Sequence, residues 1–233
     1  ESVKVASDLY APISGEIISL KRILHLKEGY SERIMLFRTP LGKEVLITFK
    51  RLVSFKYKEL FSQEVILSPI NYFGEVKVVS TINGAVENYV DKSDPRLSHN
   101  HAKCLYVKSY QVSDDYAYIE SQTEFSNLHV VALSNTFVNC ENKKTTHYKN
   151  EEIITTITFN LSNATTISKC NLYLDTLRYG DDLINKAIKR YYELKDISFN
   201  ELVDFQTKYL TEYYQYSDIE ITGNDDLQLG IRF

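Results

Sequence analysis

The sequence predicts a mainly β protein, a large two-sheet antiparallel β-sandwich followed by a two-helix linker. Two observations support this fold class. Up to residue 174 the chain reads as short strand-like segments separated by turn residues, with no helical periodicity between them. From residue 181 onward the apolar residues recur at helical spacing. Strands joined by short connections, without intervening helices, form antiparallel sheets that pack face to face.

The clearest β-hairpin pairs residues 33–39 with residues 44–49, across a turn at Pro40–Lys43. Apolar residues alternate along the second of these segments, which is typical of a strand with one buried face. Leu52 and Val53 then break the alternation, since two apolar residues stand side by side. This break predicts a β-bulge at that point.

The other predicted strands are short and are bounded by glycine, proline, asparagine or serine, the residues that favour turns. A longer polar loop is expected over residues 89–100. So many strands make the sandwich larger than an immunoglobulin-type domain. The remaining strands are expected at residues 3–6, 17–20, 64–67, 76–80, 104–109, 116–122, 129–139, 152–161 and 166–174, and the segment 23–29 is expected to close on a glycine turn.

Two helices are predicted after the strands, Asp182–Lys195 and Phe199–Tyr216. Asp181 and Asp182 offer a carboxylate cap to the first helix. Ser198 and Glu201 fit a capping box at the start of the second, in which the two residues satisfy each other's backbone amides. We expect one face of each helix to pack against the sandwich or a neighbouring domain, namely Leu183, Ile184, Ala187, Ile188 and Tyr191 on the first and Leu202, Phe205, Gln206, Tyr209, Tyr213 and Tyr216 on the second.

The composition argues against several classes of partner. The chain has 233 residues and a formal net charge of −4, and it shows no basic stripe of the kind that binds nucleic acid or anionic membranes. No segment approaches the roughly 20 apolar residues that span a bilayer, and no signal-peptide pattern is present at the N-terminus. Cys104, Cys140 and Cys170 are odd in number and widely spaced, so we expect reduced thiols in a cytoplasmic protein.

The histidines are the first candidates for chemistry. His99 and His101 form the one close pair, and alternation along an extended segment would place both imidazoles on one side. A metal site would need a third ligand, so we expect a surface loop there. Arg96, in the same loop, is expected to brace it through Asp94. The chain has five histidines in all: His25, His99, His101, His129 and His147.

Paired carboxylates are the second candidates. The pairs Glu151–Glu152, Asp181–Asp182 and Asp225–Asp226 are adjacent in sequence, so their side chains point apart and make poor acid/base partners. The sequence contains no glycine-rich phosphate loop, no Gly-x-Ser-x-Gly elbow and no Cys/His nucleophile signature. We therefore assign no catalytic, cofactor-binding or metal-binding residue.

Several segments in order resemble the N-terminal region of glycoside hydrolase family 65, the maltose, kojibiose and trehalose phosphorylases. The resemblance runs over nearly the whole chain, and its strength lies in the order and spacing of short segments. These segments are Leu26–Gly29, Arg38–Gly42, Arg51–Phe55, Ser68–Asn71 with Gly74, Asn83–Gly84 with Asn88, Asp94–Arg96, and Ser217–Asn224 with Gln228 and Ile231–Phe233.

The resemblance implies three regions. Residues 1–178 would form a sandwich of the galactose-mutarotase-like type, truncated at its start, and residues 179–217 a helical linker. Residues 218–233 would lead into a six-hairpin α/α barrel that this chain does not contain. The family's acid glutamate and phosphate-binding residues lie in that barrel, and no position here corresponds to them. The chain alone is therefore expected to be catalytically silent.

The same resemblance implies the activity of a parent enzyme. Family members cleave α-linked disaccharides with inorganic phosphate and inversion, giving β-glucose 1-phosphate, and a few are hydrolases. Phosphate is then a co-substrate, and no other cofactor is expected. The full-length protein is expected to form a homodimer. Two alternatives stay open: a stand-alone carbohydrate-binding module with exposed tyrosines as a stacking platform, and a mutarotase-like epimerase that needs a histidine and a carboxylate on a concave sheet face.

Overall fold

A computed structural model describes residues 14–88 and 102–232, without the side chain of the last of these. The predicted strand at 3–6 and the predicted loop at 89–100 therefore lie outside the described residues. The strands are β1 (Glu16–His25), β2 (Tyr30–Arg38), β3 (Glu44–Val53), β4 (Leu60–Pro69), β5 (Gly74–Asn83), β6 (Leu105–Val112), β7 (Ala117–Thr123), β8 (His129–Val138), β9 (Asn142–Lys149), β10 (Glu152–Leu161) and β11 (Thr165–Asp175). The helices are α1 (Thr176–Tyr179), α2 (Leu183–Leu194), α3 (Phe199–Ser217) and α4 (Asp225–Arg232).

The described strands form two antiparallel sheets. The larger sheet has eight strands in the order β1-β2-β3-β4-β11-β8-β7-β6, and the smaller has three in the order β5-β10-β9. The predicted hairpin is confirmed, since β2 pairs with β3 and Arg38 lies opposite Glu44. The predicted fold class, a two-sheet antiparallel sandwich followed by helices, is also confirmed. The proposed division of the chain after residues 178 and 217 stays a prediction.

An apolar core fills the space between the two sheets. Side chains from β4 and β11 meet side chains from β5 and β10 there, which removes apolar surface from water on both sheets. A smaller cluster continues this core under β7. The main cluster consists of Val65, Leu67, Val78, Ile157, Phe159, Leu161 and Ile167.

A second core lies on the opposite face of the larger sheet, under α2 and the start of α3. The amphipathic face predicted for the first helix packs against the sandwich, and so does the first part of the face predicted for the second, whereas Tyr209, Tyr213 and Tyr216 of that face are exposed. The large sheet is thus covered on both sides. The helices contribute about half of this core, so they are part of the folded unit. Its buried members are Leu52, Leu60, Tyr118, Val131, Leu133, Leu172, Leu174, Leu183, Ala187, Tyr191, Leu194, Phe199 and Leu202.

The bulge predicted at Leu52 and Val53 is wrong. The ladder between β3 and β4 keeps its register to the end, where Val53 lies opposite Phe61. Leu52 is only 1% exposed because it faces the helices, whereas Val45 and Phe49 pack against the core on the other side. The apolar alternation along β3 changes because the small sheet covers one face of the strand at Val45 and Phe49, and the helices cover the other face at Leu52.

The two predicted helix caps have different outcomes. At α3 the capping box is present: Glu201 N–H donates to Ser198 Oγ at 3.3 Å, and Ser198 N–H donates to Glu201 Oε2 at 2.9 Å. At α2 the predicted carboxylate cap is wrong. Asp182 has a left-handed backbone (φ 62°) and accepts instead from the side chain of Asn185. Among the described helices, none has the length and apolar composition to cross a membrane.

Candidate functional site

A histidine and a carboxylate meet where β7 and β8 pair. His129 Nδ1 and Glu120 Oε1 are 2.9 Å apart, and Ser109 Oγ donates to Glu120 Oε2 at 2.8 Å. The backbone N–H of His129 also donates to Thr176 Oγ1 at 3.1 Å, which ties the strand to α1. Both carboxylate oxygens are thus occupied by neighbouring side chains. This is the arrangement of a pair that holds strands together.

A second histidine pair lies at the β1–β2 hairpin. His25 Nε2 is 3.0 Å from Glu32 Oε2, and its ring stacks on Tyr30 with centroids 4.2 Å apart. Tyr30 in turn meets the ring of Phe199 edge-on, with centroids 5.8 Å apart. The pair therefore belongs to the contact between the hairpin and the start of α3.

The remaining histidines do not add a site within the described residues. His147 is exposed on β9, and His99, His101, Asp94 and Arg96 lie outside the described ranges. Across the part of the chain that the structure describes, no group of three or more His, Cys, Asp or Glu side chains could hold a metal ion. The mutarotase-like alternative stays a hypothesis.

The adjacent acidic residues make contacts that stabilise turns and helix ends. Glu151 lies in the turn between β9 and β10 with φ 61°, and its Oε2 accepts from Lys103 Nζ at 2.5 Å. Asp225 and Asp226 occupy the first turn of α4, where carboxylates interact favourably with the helix dipole. The assignment of no catalytic residue stays a prediction.

Gln206 of α3, which is 3% exposed, makes three hydrogen bonds to backbone groups of the sandwich. Its Oε1 accepts from Phe55 N–H at 3.0 Å, and its Nε2 donates to Val53 O at 3.2 Å and to Gly29 O at 3.5 Å. One side chain thus satisfies backbone groups in two separate loops. Because backbone groups that are shielded from water are costly to leave unpaired, these partly buried hydrogen bonds help to fix where α3 lies on the sheet.

Two of the segments that resemble the phosphorylase family, 26–29 and 51–55, meet at this contact. Gly29 has φ +67°, and a Cβ atom there would lie 2.6 Å from Gln206 Cγ and 2.7 Å from Leu210 Cδ1. Only glycine allows both this backbone conformation and the close approach of α3. These segments therefore encode the docking of the helix.

Two further segments, 38–42 and 68–71, meet at the far end of the β2–β3 hairpin. Asn71 Oδ1 accepts from Glu44 N–H at 2.6 Å, and Asn71 Nδ2 donates to Gly42 O at 3.1 Å. Arg38 pairs with Glu44 at 2.6 Å. The family-like segments at both ends of the hairpin thus have structural roles, and none of these contacts contributes a free acid, base or nucleophile.

A buried carboxylate, Glu59, connects α1 and α2 to the sandwich. It is 6% exposed; its Oε1 accepts from Arg190 Nε at 2.5 Å and its Oε2 from Tyr179 O–H at 2.9 Å. Burial raises the pKa of the Glu59 carboxyl, but hydrogen bonds from its own backbone amide, Arg190 and Tyr179 outweigh burial and lower the pKa overall. The group therefore stays charged at neutral pH.

Sequence reasoning missed the role of Glu59, because an isolated acid in a loop carries no pattern. It placed Gln206 on the apolar face of α3, and a glutamine within an apolar stripe was the available signal for a buried polar contact.

The predicted apolar face of α3 is buried in the first half of the helix and exposed in the second half. Tyr213 and Tyr216 belong to the predicted apolar face, yet they are well exposed, the latter to 91%. Beyond them, the apolar residues of α4 are exposed as well, including Leu227 and Leu229. Adjacent exposed aromatic and aliphatic side chains are typical of a surface that contacts another partner or domain.

A cleft of about 330 Å³ lies between the larger sheet and the α2–α3 connection. Phe137 is 45% exposed on its floor, beside the hydroxyls of Ser62 and Ser168. Cys170 also lines it, but burial raises the pKa of this thiol to about 12, so the thiol is not a nucleophile at neutral pH. An aromatic ring beside hydroxyls suits a neutral polar ligand better than it suits covalent chemistry.

The geometry defines a class of protein: a large antiparallel sandwich domain whose C-terminal helices are held on its larger sheet by buried polar contacts. Comparison with known proteins gives the family. The chain belongs to glycosyl hydrolase family 65, because residues 2–213 match the family model described as its N-terminal domain.

Individual relatives agree with this family. The chain is 43% identical over 225 residues to the alpha,alpha-trehalose phosphorylase of Geobacillus stearothermophilus, covering 96% of this chain and 29% of that protein. It is 22% identical over 243 residues to the kojibiose phosphorylase of Halothermothrix orenii, covering 99% of this chain and 30% of the relative. The chain thus spans less than a third of these relatives.

A solved structure shows the same fold. The putative kojibiose phosphorylase from the human microbiome superposes with a TM-score of 0.79 at 20% sequence identity. The match covers 95% of this chain and 28% of that one. The resemblance proposed from the short sequence segments is therefore confirmed, for the family and for the sandwich fold.

Proposed function

We propose that this chain is the non-catalytic N-terminal sandwich and linker of an inverting disaccharide phosphorylase. The proposed parent cleaves an α-linked disaccharide with inorganic phosphate and gives β-glucose 1-phosphate. The observation that carries the proposal is the 43% identity to an alpha,alpha-trehalose phosphorylase along 96% of this chain. Trehalose is accordingly the first substrate to test, ahead of kojibiose and maltose.

The chemistry of the proposed reaction supports a catalytic centre elsewhere in the parent. Inversion needs one general acid to protonate the leaving oxygen, and attacking phosphate is already charged and needs no strong base. In this chain Glu32, Glu59 and Glu120 are each held by hydrogen bonds that connect structural elements. We therefore expect the acid and the phosphate-binding groups in the part of the parent outside this chain.

The proposed role of the chain is to position the barrel domain. Glu59 fixes α2, and Gln206 fixes α3, so the linker helices move with the sandwich as one body. We propose that the exposed tyrosines of α3 and the apolar side chains of α4 contact the catalytic barrel. The expected homodimer and cytoplasmic location of the parent stay predictions.

The test compares the purified chain with the complete parent. Each is incubated with trehalose, kojibiose or maltose, with and without phosphate, and released glucose is measured. We expect no release by the chain alone and phosphate-dependent release by the parent. Phosphate-dependent release by the chain alone would refute its non-catalytic role.

Carbohydrate binding is a second candidate function, because the cleft at the α2–α3 connection is lined by the exposed ring of Phe137 and by the hydroxyls of Ser62 and Ser168. The aromatic ring that stacks on the sugar would be that of Phe137, and not one of the exposed tyrosines expected from the sequence. Titration of the disaccharides into the isolated chain tests this, with Phe137→Ala as the binding variant and Phe73→Ala, also exposed, as the control. Affinity of about 1 mM or tighter that only Phe137→Ala abolishes would support this function.

A further inference from the structure

Three arginines from three neighbouring strands share one face of the larger sheet. Arg22 of β1 lies directly opposite Arg33 of β2. Arg33 lies opposite Phe49 of β3, and Arg51 is two residues further along that strand, opposite Ser31. Residues that are opposite or two apart point to the same side of a sheet, so the three guanidinium groups are neighbours. We refer to them as the arginine cluster.

The arginine cluster has no acidic partner among the described residues. The ion pairs of this region involve other groups, for example His25 with Glu32 and Lys50 with Glu64. Glu32 also borders the cluster, but its Oε2 is 3.0 Å from His25 Nε2. Three cations without an acidic partner among the described residues, in a chain of net charge −4, are not explained by a generally basic surface.

The three charges repel one another. Partial burial lowers the pKa of the Arg33 guanidinium, and the positive charges of Arg51 and Arg22 lower it further. Like charges on directly opposite residues destabilise a sheet. No contact described within the chain offsets this cost, so a bound anion is the natural source of compensation.

The cluster also lines a cleft of about 310 Å³, within the size range of small-molecule sites. Leu24 and Phe49 provide an apolar wall, and Ser31 provides a hydroxyl. The cleft is larger than a bare inorganic anion requires. It offers space for a carbon skeleton attached to the anionic group.

We propose that the arginine cluster is a binding site for a phosphorylated small molecule, with the phosphoryl group on the three guanidinium groups and the carbon skeleton against Leu24 and Phe49. Arginine presents a planar fork of N–H donors that matches phosphate oxygens. A tetrahedral phosphoryl group directs three oxygens outwards and can engage three arginines at once, whereas a carboxylate has two oxygens in one plane. The site lies in the sandwich, so the inference does not depend on the proposed phosphorolysis.

Thermal unfolding of the chain tests the proposal with defined probes: glucose 6-phosphate, glucose 1-phosphate, inorganic phosphate and glucose. A phosphate ester at a concentration of about five times its Kd should raise the Tm of the chain by about 2–4 °C. Inorganic phosphate should act more weakly, because it does not use the apolar wall, and glucose should have no effect. Added salt should reduce every response, since exposed charges are screened.

Arg33→Gln should weaken binding of the ester by about tenfold or more, as expected for loss of a charged hydrogen-bonding partner. Arg22→Gln should do the same and should also raise the Tm without ligand by about 1–3 °C, because it relieves repulsion. Lys21→Gln is the matched control. Lys21 lies opposite Ile34 on the other face of β1, so its loss should leave the response unchanged.

Three results would overturn the proposal. The first is no shift with any phosphorylated probe. The second is an equal loss of response in Lys21→Gln, which would indicate a diffuse effect of net charge. The third is binding of a poly-glutamate peptide without any response to phosphate esters, which would make the arginine cluster a protein interface.

Discussion

Gln206 of α3 and Gly29 of the β1–β2 turn approach each other so closely that a Cβ atom on the glycine would lie 2.6 Å from Gln206 Cγ. The two residues are 177 positions apart in the sequence. Their contact joins α3 to the first described hairpin of the sandwich. Helix α3 is therefore packed into the fold of the sandwich.

Gly29→Ala should lower the free energy of unfolding by about 2–4 kcal/mol. The substitution combines a left-handed backbone that alanine disfavours with a clash against α3. Equilibrium denaturation in urea measures the change. Gly42→Ala is the control, because Gly42 has φ +72° but no atom within 4 Å of an added Cβ, so only the backbone cost of about 1 kcal/mol applies. Equal losses in the two variants would show that α3 does not approach the turn.

Gln206→Leu should destabilise the chain by about 2–4 kcal/mol, although leucine has a similar volume and is apolar. The variant leaves the partly buried N–H of Phe55 and carbonyl of Val53 without their partner at the buried Gln206 position. Chemical denaturation measures the effect. Gln215→Leu, on the exposed surface of the same helix, should change stability by no more than about 0.5 kcal/mol. A neutral Gln206→Leu would contradict the assigned contact.

Glu59→Gln should destabilise the chain at pH 7 by about 1–3 kcal/mol, because it removes a buried charge that Arg190 and Tyr179 both contact. The folded pKa of Glu59 is lowered, so its contribution is present above the unfolded pKa of about 4.3 and is lost as the pH falls through the folded pKa. The gap between wild type and variant should therefore shrink in acid. Urea titrations from pH 7 to about pH 3 test this, and a gap that is constant with pH would contradict it.

Lys169→Met should raise the free energy of unfolding at pH 7 by about 1–3 kcal/mol. Lys169 is buried between the sheets, where Nζ donates to Thr81 O at 3.1 Å, and burial lowers its pKa to about 8. Between pH 8 and an unfolded pKa of about 10.4, the unfolded chain binds more protons, so wild-type stability rises with pH over that range. The variant should lack this rise.

The control for Lys169→Met is Lys77→Met, since Lys77 is exposed on β5. It should leave both the stability at pH 7 and the pH dependence nearly unchanged. A wild type whose stability is flat between pH 8 and pH 10 would contradict the assigned burial of the Lys169 charge.

Local sequence signals predicted the local structure well. Alternation gave the β2–β3 hairpin, and the Ser198–Glu201 spacing gave the capping box, because both depend on residues close in sequence. The order of short turn segments indicated the family. Two local predictions were wrong. The bulge at Leu52 is absent because the strand is covered on different faces along its length, and the carboxylate cap at Asp182 is absent because the backbone of that residue is left-handed.

The long-range contacts could not be predicted in the same way. Gln206 satisfies backbone groups far away in sequence, and its partners follow only from the packing of α3 on the sheet. The three arginines lie at positions 22, 33 and 51, and nothing in the linear sequence aligns them. Their proximity depends on the pairing register of β1, β2 and β3, which the hydrophobic pattern of this edge does not specify uniquely.

The proposal to be tested first is that these residues belong to a disaccharide phosphorylase and carry none of its chemistry. The most direct measurement follows trehalose and phosphate by phosphorus and proton NMR, with the complete parent in one sample and this chain alone in another. We predict β-glucose 1-phosphate as the first product of the parent, and no phosphate ester from the chain alone. Formation of a sugar phosphate by the chain alone, or of the α-anomer by the parent, would contradict the account.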